Sequence, residues 1–142
     1  MLVVMPSGKE GMRVKDLPPL LKACALSDKE KVLRLIHSGA DFNQRNVDGN
    51  SAVWLSCYSD SIEIIELLAA NGANINNQNN DGVTALIYAA SAGKLDVVRC
   101  LLALGVDDSL ATADGFTALD IAASRPVMNL LRQTHAVVRS MA

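Results

Sequence analysis

The chain has 142 residues, with 13 Lys and Arg against 15 Asp and Glu and a net charge of -2 at pH 7. That length fits one domain or two very small ones, and a composition that is 50% apolar but 4% aromatic argues against a wholly disordered chain. The balanced charge argues against a dedicated nucleic-acid binder, no apolar run approaches the roughly 20 residues of a membrane span, and three Cys do not make a disulfide framework.

The opening MLVVMP lacks the basic region and cleavage signal of a secretory leader. Ser7-Gly8-Lys9 is a fragment of a phosphate loop without its upstream Gly, and Glu10 replaces the Ser or Thr that would hold magnesium. Residues 1–13 fit no pattern and are expected to form a flexible segment. A first helix starts at Pro18-Pro19 and carries the small pair Ala23-Cys24. Ser27 and Glu30 predict a capping box for a second helix with the stripe Val32, Leu35 and Ile36, stopped by Gly39.

The same order then recurs. Asp48-Gly49 predicts a tight turn, followed by a helix with Ser56-Cys57 and another with Ile62, Ile65 and Leu68, stopped by Gly72. Asp81-Gly82 opens a third unit, in which Thr84 caps a helix through Ala85, Leu86, Ala89 and Ala90, and Gly93 ends it. Leu95, Val98, Leu101 and Leu102 form its second stripe, closed by Gly105. Asp114-Gly115 and Ala122-Ala123 open a fourth unit, whose second helix is expected around Val127 to Arg132, ending in Thr134 and His135. The Asp-Gly pairs, the Gly stops and the small-residue pairs all repeat at 33 residues. Such a period is the signature of a stacked repeat architecture, because one helix pair cannot bury its apolar faces alone. Leu67, Leu68, Leu101 and Leu102 are expected in its central core.

The strings DGVTALIYAASAG, DGFTALDIAAS, SGADFNQRN and NGANINNQN resemble ankyrin repeats, which share this period. The resemblance covers about residues 14–142 as four units, roughly 14–47, 48–80, 81–113 and 114–142. It implies an all-α solenoid of antiparallel helix pairs with finger-like loops at right angles to the stack. The chain departs from the family where Ala52, Ala85 and Ala118 replace Pro, and where Ser27, Asp60 and Pro126 replace the Gly between helices. Pro126 cannot adopt positive φ, so the last unit must turn differently.

Chemistry-bearing motifs are few. His37 and His135 have no Cys or His at ligand spacing, so no metal site is expected. Cys24 and Cys57 stand one repeat apart, roughly 10 Å in a helix stack and beyond disulfide reach. With Cys100 they read as small buried apolar side chains. Glu30, Arg34, Glu63, Glu66, Asp96 and Arg99 read as a solvated helix face. No catalytic group and no cofactor is expected.

The resemblance places partner contacts on a concave side made of finger tips and first helices. By repeat position the finger residues are Arg45, Val47, Asp48 and Asn50, then Gln78, Asn80, Asp81 and Val83, then Ala111, Ala113, Asp114 and Phe116. The helix positions are Tyr58 and Ser59, Ser91 and Ala92, and Ser124 and Arg125. Tyr58, Phe116 and Arg45 rank first as anchors by residue type, whereas Trp54, where the family often has His, reads equally as packing or contact. Asn43 and Asn76 match asparagines that are often hydroxylated in family members, the plainer reading being hydrogen bonds to the finger backbone. The expectation is a monomeric, non-enzymatic protein-binding module in the cytoplasm or nucleus. Its alternatives are a steric inhibitor of an enzyme such as a kinase, and an enzyme with an unrecognised site.

Overall fold

The computed structural model describes residues 13–141, with side chains through Thr134. Ser7-Gly8-Lys9, all but the last residue of the expected flexible segment, and the His135 side chain lie outside the described residues. Arg13 pairs with Asp16 at 3.1 Å across a 3-10 turn at Val14–Asp16. Among the described residues seven α-helices follow: α1 (Pro19–Ala25), α2 (Lys29–His37), α3 (Ala52–Tyr58), α4 (Ile62–Ala70), α5 (Ala85–Ser91), α6 (Leu95–Ala103) and α7 (Arg125–Met141). The remaining pairing there is one isolated bridge, between Arg45 and Ser51.

The helices form two rows. The first helices stack α1 on α3 on α5, the second helices stack α2 on α4 on α6, and α7 packs on α6. Small residues make the first row tight: Ala23, Cys24, Ser56, Cys57, Ala89 and Ala90 are all buried. Ile65, Leu68, Val98 and Leu101 fill the space between rows and are fully buried. Leu67 and Leu102 are half-buried and pack at the side of that core. They were expected to be equivalent to Leu68 and Leu101, but the 33-residue step pairs Leu68 with Leu101 and Leu67 with Cys100.

Capping follows local chemistry. Ser51 and Thr84 accept the Trp54 and Ile87 amides at 3.4 and 3.0 Å and start α3 and α5. The Ser27–Glu30 capping box does not form. Asp28 caps α2 instead, accepting the Lys31 amide at 3.1 Å, because Ser27 sits at φ 59° and turns its hydroxyl toward Ser61 Oγ of the next unit. Asp60 at φ 58° likewise takes the left-handed position that Gly93 fills with φ 70°.

The fourth unit departs most. Thr117 and Asp120 close a reciprocal cap, at 2.9 and 3.3 Å, but the segment through Ile121 is turn and not α-helix. Ser124 then caps α7, accepting the Val127 amide at 3.4 Å. Pro126 thus lies in the first turn of a helix, where its missing N–H costs nothing. Arg125 therefore begins the second helix rather than ending a first one. The 17 residues of α7 extend well past the expected Val127–Arg132.

Leu68→Ala and Leu101→Ala should each cost about 2–5 kcal/mol in urea unfolding, and Leu67→Ala and Leu102→Ala clearly less. A second comparison isolates the contact between fingers. Gly115 has φ +91° and nothing within 4 Å of a built Cβ, so Gly115→Ala should cost about 1–2 kcal/mol of left-handed strain. At Gly82, φ +78°, the same Cβ would lie 2.7 Å from the Ala113 amide nitrogen. Gly82→Ala should therefore lower the melting temperature further, and equal losses would mean that the fingers do not abut.

Candidate interaction surface

Each finger is closed by one polar side chain at its base. Asn46 Oδ1 accepts the amides of Asp48 and Asn50 at 3.0 and 2.9 Å. Asn79 Oδ1 does the same for Asp81 and Val83, both at 2.9 Å, and Thr112 Oγ1 accepts the Phe116 amide at 3.1 Å. These three residues stand 33 apart, so the fingers share one geometry and stack in register. The Asn80 amide donates to the Asp48 carbonyl at 3.0 Å, and the Ala113 amide to the Asp81 carbonyl at 2.9 Å.

Side chains expected to meet a partner tie the fingers to one another. Arg45 donates to the Gly49 carbonyl at 3.1 Å and to the Gln78 carbonyl at 3.3 Å. Gln78 Nε2 donates to the Ala111 carbonyl at 2.9 Å, and Asn80 Nδ2 to the Val47 carbonyl at 2.8 Å. Asn43 and Asn76 accept the amides of Asn74 and Asp107, both at 2.8 Å, so their amide oxygens join successive units.

The expected contact residues separate into three groups. Asn50 and Val83 are 1% exposed and cannot touch a partner: Asn50 Oδ1 accepts Asn79 Nδ2 at 2.9 Å, and Val83 is part of the apolar core. Ser59, Asp48, Ser91, Phe116, Ala111 and Ser124 are half-buried. Arg45, Val47, Tyr58, Asn80, Asp81, Ala92, Ala113, Asp114, Gln78 and Arg125 are exposed, Arg125 from α7.

Tyr58 has aromatic backing. Its ring lies 6.0 Å from Trp54 at an interplanar angle of 11°, and Trp54 lies 4.6 Å from Tyr88. Lys94 Nζ donates to the Tyr58 carbonyl at 3.1 Å, pairs with Asp60 at 2.8 Å, and stands 5.6 Å from the Tyr88 ring centre. Burial pushes the Tyr88 phenol up to about 12, assisted by Tyr58 and Asp60. Trp54 itself is 2% exposed, which decides for packing over contact. Its indole N–H is buried and meets no protein acceptor among the described residues.

One exposed residue escaped the sequence reading. Leu26 is 59% exposed and stands one repeat before Ser59. Ser59 Oγ donates to the Cys24 carbonyl at 2.8 Å and Ser27 Oγ to the Ser59 carbonyl at 3.4 Å, so Leu26 lies beside Tyr58–Ser59. Extending the repeat step backward into the first unit would have found it. Beside the first finger, a groove of about 470 Å³ is lined by Arg13, Leu17, Pro18, Arg45 and Val47 among others.

The stacked helix pairs and hydrogen-bonded fingers define a helical repeat protein. A family model for ankyrin repeats, in three copies, matches residues 20–110 and 71–140. The chain belongs to the ankyrin-repeat family, whose members are in general protein–protein interaction modules and typically not enzymes. No curated protein matches it. Among the described residues no group of His, Cys, Asp and Glu could hold a metal ion, and no helix is long and apolar enough to cross a membrane.

The thiols follow their burial. Cys24 and Cys57 are fully buried. Burial pushes Cys24 from its ordinary 9.0 up to about 11 and raises Cys57 still further. Cys100 is half-buried, and burial and the Glu66 carboxylate raise its pKa as well. Native labelling near pH 8 should therefore reach Cys100 first, and Cys24 and Cys57 on unfolding. The raised folded values also fix a sign: stability present below pH 9 should decline as pH climbs from 9 toward 11, because the unfolded chain ionises first.

Proposed function

We propose that the chain is a non-enzymatic protein-binding module that presents a rigid surface of finger tips and first-helix ends to a polypeptide partner. One observation carries this reading. Among the described residues the large exposed apolar side chains are Leu26, Val47 and Tyr58, and all three stand at finger-tip or first-helix-end positions. The second-helix faces instead expose Glu30, Arg34, Glu66, Asp96 and Arg99. Apolar side chains left in water cost solvation free energy unless a partner covers them. Steric inhibition of an enzyme would use the same surface and differ in the partner's identity.

Arg45 is not a clean probe, because its guanidinium ties two fingers together. The sharper test is a Leu26→Ala, Tyr58→Ala double variant beside a Glu66→Lys, Arg99→Glu variant. Each serves as bait in affinity capture from the source cells, with quantitative mass spectrometry and a melting curve. The apolar double variant should lose the partner that the unmodified chain retains, since central aromatic anchors are worth ~2 kcal/mol or more. The charge-reversed variant should melt nearly as before, as surface substitutions usually change stability by about 0.5 kcal/mol or less, and the apolar variant, which loses the Tyr58 ring stacked on Trp54, should melt lower but still in one cooperative transition. Loss on the charge-reversed faces, with retention in the apolar variant, would put binding on the second-helix side.

A further inference from the structure

Asn71 and Gly72 form the one Asn-Gly pair in the sequence, and both residues are exposed at the end of α4. An asparagine followed by glycine carries a latent reaction, because the backbone nitrogen of the next residue can attack the side-chain amide carbon and close a cyclic imide. Glycine puts no side chain in the way of that approach. At Gly72, φ +93°, a built Cβ would meet nothing within 4 Å, so the reacting atoms stand open to water. Every other Asn precedes a larger residue, and Asn50, ahead of the small Ser51, is 1% exposed. The finger pairs Asp48-Gly49, Asp81-Gly82 and Asp114-Gly115 present ionised carboxylates, which resist a nucleophile better than an amide does. Two hydrogen bonds act as a brake at Asn71. The Gly72 amide donates to the Ala69 carbonyl at 3.0 Å, and Asn71 Nδ2 donates to the Leu67 carbonyl at 2.9 Å. Both belong to the last turn of α4, and helix ends open more readily than helix interiors.

We propose that Asn71 is a self-modifying site, which converts to aspartate and isoaspartate through a cyclic imide with Gly72 and thereby loosens the joints of the second unit. The Gly72 nitrogen bonds to Asn71 Cγ, the Cγ–Nδ2 bond breaks, and the proton from nitrogen leaves with the ammonia. Water then opens the ring at either carbonyl, giving aspartate or, with the chain rerouted through the side chain, isoaspartate. The net change is a water gained and an ammonia lost, with no oxidant or cofactor. Either product costs stability at that turn. A carboxylate replaces a donor at the negative end of α4, where cations and not anions are favoured. Isoaspartate also puts an extra carbon into the backbone just before the turn that returns the Ala73 amide to the Leu68 carbonyl at 3.0 Å. Beyond that turn the Asn74 amide reaches Asn43 Oδ1, and Asn76 Oδ1 accepts the Asp107 amide, both at 2.8 Å. The altered turn therefore precedes the links to both neighbouring units. The fold does not require asparagine here. Ser38 and Leu104 precede Gly39 and Gly105 at the same repeat position, and Ser38 Oγ donates to the Leu35 carbonyl at 2.9 Å.

The test ages the full-length chain and an Asn71→Ser variant at mildly alkaline pH in heavy-oxygen water, with peptide mapping that separates aspartate from isoaspartate. Position 71 should convert before any other asparagine, to both products, with heavy oxygen in the new carboxylate. Converted chains, separated by charge, should melt roughly 2–6 °C below unconverted ones. The Asn71→Ser variant should keep its melting temperature through the same treatment. Another asparagine converting first, or isoaspartate arising first at an Asp-Gly pair, overturns the assignment. So does a position 71 that stays intact in the folded chain while the same chain held in urea converts, since the brake is then complete. Aspartate without isoaspartate overturns the cyclic route, and equal melting of converted and unconverted chains overturns the structural consequence.

Discussion

Every helix pair in this chain has more apolar surface than it can bury by itself. That constraint organises the rest. Leu68 and Leu101 each need a helix before and after them, and small residues at Cys24, Cys57 and Ala90 let the helices of the first row approach one another. A stack built this way has nearest-neighbour energetics, so each interface must be formed in register with the next. The register is enforced at two levels. Burial between the helix rows is strong but non-directional. The finger bonds, from the Asn80 amide to the Asp48 carbonyl and from the Ala113 amide to the Asp81 carbonyl, are individually modest but directional.

Much of this was legible because the repeat states each rule more than once. Asp48-Gly49 and Asp81-Gly82 mark fingers, Thr84 marks a cap, and the 33-residue step carries both along the chain. What the sequence hid were the places where one residue has two competing roles. Ser27 has the spacing of a cap but occupies the left-handed turn where other units use Gly, so Asp28 inherits the cap. Asn50 and Val83 lie in a loop, and loops usually face water, yet each fills a position beneath its finger. No local pattern separates them from Phe116, which is half-buried at the same place in the third finger, with no further finger beyond it among the described residues. The fourth unit was legible in its Pro126 but not in its outcome, since Thr117 and Asp120 begin a turn that then fails to propagate as α-helix.

The candidate surface was less legible than the fold for a related reason. Position in the repeat gives a side chain's address, while its use depends on neighbours a whole repeat away. Arg45, Gln78 and Asn80 are exposed and polar, as contact residues would be, yet each donates to the backbone of an adjacent finger. They fix the shape of the surface. Leu26 and Val47 have no such employment, and Tyr58 presents a ring whose own hold on the protein is through Trp54 and Lys94. Aromatic and aliphatic side chains cannot satisfy the polar groups of a finger, so at these positions they leave apolar area in water.

Trp54 shows where the two demands meet. Its ring is buried in the core of the second unit. The same ring is what Tyr58 stacks on and what Tyr88 packs against. A tyrosine ring backed by a buried aromatic pair gives up part of its side-chain freedom during folding. Tyr58 is backed from its own unit by Trp54 and from the third unit by Tyr88 and Lys94, a setting the last unit does not repeat, because its first helix is reduced to a turn.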